Sequence, residues 1–260
     1  TDNTNITEPA VLTATATKVQ DVQCNGDANG SITVVGSGGT AAVDYTYSWS
    51  TTPVQTNATA SSLAPGNYTV TLTDDNGCIF NTTPAVTITE PTVLTATISS
   101  STDPSCFGFS DGNATVTGSG GTAATDYTYS WNTTPVQTTA TASNLVAGNY
   151  TATVTDDNGC SATDNIAITD PSELAATMGI PTMVSCNGAI PADGSVTVTA
   201  SGGTVAGNYT YLWSDGQTDA TALNLSAGSY SVTIRDDNNC SVIGGPITIT
   251  EPNAVAASMG

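Results

Sequence analysis

The chain has 260 residues, with 22 acidic side chains against two basic ones, Lys18 and Arg235, and a formal net charge of −20. That balance excludes nucleic acid as a partner, since phosphate binding needs clustered Lys and Arg, and an anionic membrane surface would repel the chain. No His is present, which removes the commonest general base and transition-metal ligand, and no apolar run reaches the length of a membrane span.

In chain order, residues 1–9 read as the end of a preceding repeat. Strand candidates then follow by period-two alternation: "VLTATAT" (11–17), "SITVV" (31–35), "YTYSW" (45–49), "TNATA" (56–60), "NYTVTLT" (67–73) and "AVTIT" (85–89). Gly- and Asn-rich stretches such as "GSGGT" (36–40) punctuate them. No stretch has helical periodicity.

The same series then recurs. Glu8-Pro9, Glu90-Pro91, Asp170-Pro171 and Glu251-Pro252 step by 82, 80 and 81 residues, and Trp49, Trp131 and Trp213 by 82 and 82. Three repeats result, at 10–91, 92–171 and 172–252, with 253–260 reading as the start of a following one. Six or seven short strands in about 80 residues predict an all-β fold, a tandem array of small immunoglobulin-like antiparallel sandwiches. "LAPGNY" (63–68), "LVAGNY" (145–150) and "LSAGSY" (225–230) suit a tyrosine corner, with Tyr68, Tyr150 and Tyr230 bonding back to nearby backbone. Trp49, Trp131 and Trp213 are either the large core residues or, with Tyr45 and Tyr47 on the same strand face, a sugar-stacking platform.

Each repeat carries two cysteines 54 residues apart: Cys24 and Cys78, Cys106 and Cys160, Cys186 and Cys240. The period predicts disulfides within repeats, Cys24–Cys78, Cys106–Cys160 and Cys186–Cys240. Zinc is disfavoured, because each repeat offers two Cys and no His. Disulfides place the chain in an oxidising, extracellular setting.

The second cysteine always ends an acidic turn, "DDNGC" at 74–78 and 156–160 and "DDNNC" at 236–240. Asn-Gly is a strong hairpin signal because both residues tolerate φ > 0, and Asn239 is the next best substitute for Gly. Asp74, Asp75, Asp156, Asp157, Asp236 and Asp237 serve as turn caps or contribute to calcium sites, with the Glu-Pro or Asp-Pro junction and Asp44 or Asp126 as co-ligands. The Pro of each junction ends one repeat and starts the next with little linker. Only Lys18 could supply an isopeptide amine.

The combined pattern runs Cys, "GSITV" or "DGSVTV", "SGGT", "YTYSW", a Gly-x-Tyr strand, "DDNGC" and "TITEP". It resembles the SprB-type repeat of Bacteroidota cell-surface gliding-motility adhesins. Cys24, Trp49, Gly66, Tyr68, Asp74, Asn76, Gly77, Cys78, Glu90 and Pro91 carry the resemblance, with their equivalents. It implies the shaft of a long extracellular filament, exported by the type IX system and associated with the outer membrane through its parent protein. The implied partners are neighbouring repeats and a surface or polysaccharide ligand. A carbohydrate-binding or spacer module array of a secreted multidomain enzyme is the rival reading. No nucleophile–base pair, metal cluster or phosphate loop points to catalysis, no direct membrane insertion is expected, and Ca²⁺ is the one cofactor candidate.

Overall fold

The computed structural model describes residues 7–40, 44–123 and 126–256. The expectations for residues 1–6 and 257–260 lie outside them. The described residues form twenty strands and no helix. They gather into two compact units: Thr1–Thr97, Thr117–Ala140 and Ala152–Asp164 in one, Ile98–Val116, Thr141–Thr151 and Asn165–Gly260 in the other. Each unit is therefore a complete outer repeat plus part of the middle one, and the repeat boundaries at 91 and 171 do not coincide with the division.

In the first unit, β1 (Ala10–Gln20), β2 (Gly30–Gly39) and β4 (Thr59–Leu63) form one sheet in the order β1-β2-β4, and β3 (Thr46–Trp49), β6 (Val70–Thr73) and β7 (Ile79–Asn81) form a second in the order β3-β6-β7. The short β5 (Gly66–Tyr68) and β8 (Val86–Ile88) pair with each other. Alternation decides which face is buried. Along β2, Ile32 and Val34 point inward and Thr33 outward. The inward side chains of both sheets, with Val22, Trp49, Ala60, Leu63, Val70 and Ile88, make one core. Each fully buried aliphatic side chain contributes about 1.5–3 kcal/mol.

The register of β1 fixes the geometry that matters later. Ala10 lies opposite Gly39 at one end and Gln20 opposite Ser31 at the other. At about 3.3 Å per residue an eleven-residue strand spans roughly 33 Å, so these ends are opposite poles of the repeat.

The middle repeat supplies β9 (Thr92–Thr102), β10 (Gly112–Gly121), β11 (Thr128–Trp131), β12 (Thr141–Leu145), β13 (Gly148–Thr155) and β14 (Ser161–Ile168). In the first unit β11 pairs with β13, Trp131 opposite Ala152. In the second β10 pairs with β12, Thr115 opposite Thr141. The third repeat has sheets β15-β16-β18 and β17-β19-β20, from β15 (Ala175–Met178), β16 (Gly194–Ser201), β17 (Thr210–Trp213), β18 (Thr221–Leu225), β19 (Gly228–Arg235) and β20 (Ser241–Ile249). Its core is built from Trp213, Val196, Val198, Leu225, Val232, Ile234 and Ile249.

Two strands differ from the sequence expectation. β4 begins three residues later than "TNATA" predicts, because Trp49 Nε1 donates to the Asn57 carbonyl (2.8 Å) and keeps that residue out of the ladder. β2 continues through "GSGG", which the sequence alone reads as punctuation. Gly38 and Gly39 have φ of +79° and +65°, and the β1–β2 register shifts beside them, so the glycines make a bulge rather than a break.

Candidate functional site: an acidic turn joined to the preceding repeat

Asp74 organises the "DDNGC" stretch. Its backbone carbonyl accepts the Gly77 N–H (3.0 Å), closing a four-residue turn, and its N–H donates to the Cys78 carbonyl (3.0 Å). One carboxylate oxygen accepts the N–H groups of Asn76 (3.0 Å) and Cys78 (2.8 Å), as an Asx turn does. Within the three acidic turns only Gly77, Gly159 and Asn239 take positive φ, at +80°, +82° and +64°. The turn is thus three residues followed by one left-handed position, and the Asn before it stays in ordinary conformation. Asp156 and Asp236 make the same bonds to Asn158 and Cys160, and to Asn238 and Cys240.

The other Asp74 oxygen accepts the Thr40 N–H (2.9 Å). This explains "SGGT". A Cβ on Gly39 would lie 2.6 Å from that oxygen, and one on Gly38 would lie 2.0 Å from the Val11 carbonyl oxygen. Two adjacent glycines let the loop close on the carboxylate, and Thr122 and Thr204 donate to Asp156 and Asp236 in the same way. The motifs "SGGT" and "DDNGC", 34 residues apart for Thr40 and Asp74, are one structural unit. Neither motif alone predicts the other. Three N–H donors hold the Asp74 carboxyl below its ordinary value of 3.8, Thr40 contributing most, although Asp74 is itself buried.

This occupation bears on the calcium expectation. Asp74, Asp156 and Asp236 are buried and spend both oxygens on backbone donors. Asp237 accepts the N–H groups of Ala206 (2.6 Å) and Gly207 (3.0 Å). Among the described residues no three Asp, Glu, Cys or His side chains gather to hold a metal ion, so Asp75, Asp157, Asp44 and Asp126 complete no such group.

The first cysteine of each repeat sits in a second built loop at the opposite pole. In repeat 1 the Cys24 carbonyl accepts the Asp27 N–H (3.1 Å), Gln23 N–H donates to Asn29 Oδ1 (2.9 Å), and Gly26 N–H donates to Glu90 Oε2 (2.8 Å). The acidic residue of the Glu-Pro step therefore caps the cysteine loop as well as ending the repeat. Asp170 and Glu251 do the same through Gly108 and Gly188. Asp111 and Asp193 take the place of Asn29, and their carboxyls are held below the ordinary range, chiefly by the hydroxyls of Ser105 and Ser185 and then by the backbone N–H groups of those serines. Lys18, the lone candidate amine, instead pairs with Asp21 at 2.6 Å.

The disulfides are Cys24–Cys160 and Cys106–Cys240, each with Cα atoms 5.7 Å apart. Cys78 and Cys186 are free and exposed. The expected pairs Cys24–Cys78, Cys106–Cys160 and Cys186–Cys240 are overturned. Cys24 lies beyond the Gln20 end of β1, whereas Cys78 follows a turn held at Gly39 and Thr40, opposite its Ala10 end. Poles roughly 33 Å apart cannot be bridged, because disulfide Cα atoms lie within about 7 Å. The first cysteine of one repeat bonds instead to the second cysteine of the next. These bridges step 136 and 134 residues, so they keep the repeat period as faithfully as internal pairs would.

Each bridge sits in the same polar frame. Asn158 Nδ2 donates to the Gln23 carbonyl (2.9 Å) beside Cys24–Cys160, and Asn238 Nδ2 donates to the Ser105 carbonyl (2.8 Å) beside Cys106–Cys240. The Asn of the acidic turn is thus both a turn residue and the polar contact across repeats. One difference distinguishes the middle repeat. Asn187 Nδ2 donates to Glu251 Oε1 (3.2 Å), but Phe107 stands at the equivalent position, and Asp170 Oδ1 is buried without a partner.

Trp49, Trp131 and Trp213 are core residues, each about 2% exposed or less, with the indole N–H donated to a backbone carbonyl at 2.8–3.0 Å. Tyr45, Tyr127 and Tyr209 donate to the carbonyls of Gly38, Gly120 and Gly202 (2.8–2.9 Å). Tyr68, Tyr150 and Tyr230 donate to carbonyls four residues back at 2.9–3.1 Å. No sugar platform is built from the tryptophans.

The family described as SprB repeat matches residues 16–53, 98–135 and 179–218. Three segments of the chain thus match the SprB repeat family. Each match runs from the end of the first long strand through the cysteine loop and "SGGT" to just past the tryptophan, so the acidic turn lies outside the matched segments. No curated protein matches the chain. Among solved structures, a C-terminal intimin fragment in complex with its receptor's binding domain has 16% identity and a TM-score of 0.33 over 64% of this chain and 67% of that one. The N-terminal eight immunoglobulin domains of Down Syndrome Cell Adhesion Molecule show 11% and 0.32, covering 82% and 33%. A tetra-tandem repeat from the extending region of a large adhesion protein shows 15% and 0.25, covering 89% and 72%. The match to the SprB repeat family rests on sequence, independently of these superpositions.

Proposed function

We propose that these repeats form the shaft of a long adhesive filament outside the cell, serving surface attachment and gliding. The observation that carries this reading is the junction built twice, in which a bridge and an Asn hydrogen bond lock successive repeats together. A mechanical spacer needs such locking and a catalyst does not. Two disulfides suit an oxidising extracellular setting, and no helix among the described residues is long and apolar enough to cross a membrane. Export by the type IX route and outer-membrane association through the parent protein belong to the same proposal. The carbohydrate-module alternative lacks its main support, since the tryptophans are buried.

Antibody raised against the repeats should label intact producing cells, and mild protease should remove the label. Deleting the repeats should abolish surface attachment. An intracellular label, or normal attachment after deletion, overturns the proposal. Retention of the isolated chain on a polysaccharide column would favour the module reading.

A further inference from the structure

Two of the three phenylalanines in the chain, Phe107 and Phe109, stand on one loop and are 52% and 53% exposed. They line a cleft of about 360 Å³ beside the Cys106–Cys240 bridge. The other wall comes from the following repeat. There Leu174 is buried and Val242 half-buried, while Glu173, Asn239 and Ser241 are exposed. Among the described residues no hydrogen bond engages the side chains of Glu173, Asn239 or Ser241.

The rings are not needed to fold the loop. Phe109 N–H closes it on the Cys106 carbonyl (3.0 Å), just as Asp27 N–H does on Cys24 (3.1 Å) and Ala189 N–H on Cys186 (3.2 Å). Asn25 and Asp27 hold the two ring positions in the first repeat, and Asn187 and Ala189 hold them in the third. The equivalent cleft beside Cys24–Cys160 is smaller, about 270 Å³, and has Asn25 and Asp27 where the rings would be. Two half-exposed rings that neither fill a core nor shape a turn mark a binding surface.

A ligand of this cleft needs an apolar face for the rings and hydroxyls for the polar edge. A pyranose ring has both. Its axial C–H groups carry partial positive charge and settle on the electron-rich faces of aromatic rings, and its hydroxyls donate and accept. Charge narrows the class further. A chain of net charge −20 repels polyanionic glycans, and the lining offers one carboxylate and no cation.

We propose that this cleft binds an uncharged polysaccharide, with a pyranose ring stacked on Phe107 and Phe109 and its hydroxyls bonded to Glu173, Asn239 and Ser241. The bridge and the bond from Asn238 to the Ser105 carbonyl (2.8 Å) hold the two walls together, so the locked junction is also what builds the site. The proposal rests on the adhesive-shaft reading for its place outside the cell, and gives that shaft a point of attachment along its length. A module array would bind through every repeat, whereas these rings occur in one of the three.

The test is native electrophoresis of the 260-residue chain through gels containing dextran, laminarin, galactomannan, alginate or gelatin. At least one of the three uncharged polysaccharides should retard the chain, and alginate and gelatin should not. Phe107→Asn with Phe109→Ala copies the third repeat's loop, so it should fold with unchanged circular dichroism. It should weaken the retarding interaction about tenfold, while Phe107→Tyr with Phe109→Tyr keeps it within about twofold. No retardation by any of the three uncharged polysaccharides would overturn the proposal. So would retardation by alginate or gelatin alone, which means a charged glycan or a protein partner. Retardation that survives loss of both rings would overturn it in favour of the module reading. Failure here leaves the labelling of intact cells unaffected, and an intracellular label leaves the measured retardation unaffected, so the two readings fall separately.

Discussion

The turn at 74–78 and the turn at 156–160 have the same five residues and the same hydrogen bonds, yet only the second carries a disulfide. Their likeness shows that the turn is shaped inside its own repeat, by one buried carboxylate and the two glycines that admit it. The bridge therefore adds nothing to turn geometry. It couples one finished repeat to another.

Loss of the bridges should be the largest effect. Each closes a loop of 134–136 residues, worth about 5 kcal/mol in the chain-entropy model. Reduction should lower the melting temperature by roughly 10 °C or more, while hydrogen exchange at the Cys78 N–H, in the unbridged turn, stays as slow as before. Fast exchange there after reduction would mean that the bridges do shape the turns.

Acid should come next, acting on the unbridged turn through Asp74 and on one bridged and one unbridged cysteine loop through Asp111 and Asp193. Asp74, Asp111 and Asp193 all titrate below their ordinary value near 3.8 because N–H and O–H donors favour the charged form. Their stabilisation is present above that value and is lost as pH falls through the lower folded-state values. Thermal stability measured from pH 7 downward should hold to about pH 4 and then drop, with Asp74→Asn flattening part of the drop.

Gly77→Val should destabilise the first repeat by about 1–3 kcal/mol, because a β-branched residue resists φ near +80°. A Cβ there meets nothing within 4 Å, so the cost is backbone strain alone. Gly77→Asn should be almost silent, as Asn239 already holds that conformation. Urea titration of the two variants separates strain from crowding. The smallest effect is a gain. Phe107→Asn offers an amide to the orphaned Asp170 Oδ1 and should stabilise the chain by about 1 kcal/mol.

Much of this architecture was legible in the residues. Alternation located most strands, and a large aromatic once per small repeat located the core at Trp49, Trp131 and Trp213. The disulfide partners were not legible, for a physical reason. Any pairing displaced by a whole repeat leaves the period unchanged, so only the distance between the poles of β1 decides between Cys78 and Cys160 as the partner of Cys24. The cradle around Asp74 was hidden for a related reason. Its glycines are read as a break unless the carboxylate that fills the space above them is known. The dual role of Glu90, Asp170 and Glu251 was masked by the proline that follows each.

The stagger of the bridges has a consequence for proteolysis. The loops Cys24–Cys160 and Cys106–Cys240 overlap. Any single peptide bond cut between Cys24 and Cys240 leaves both fragments tied by at least one bridge, including cuts at the Pro91 and Pro171 repeat boundaries. Pairs confined to single repeats would leave those boundaries as sites where one nick severs the molecule.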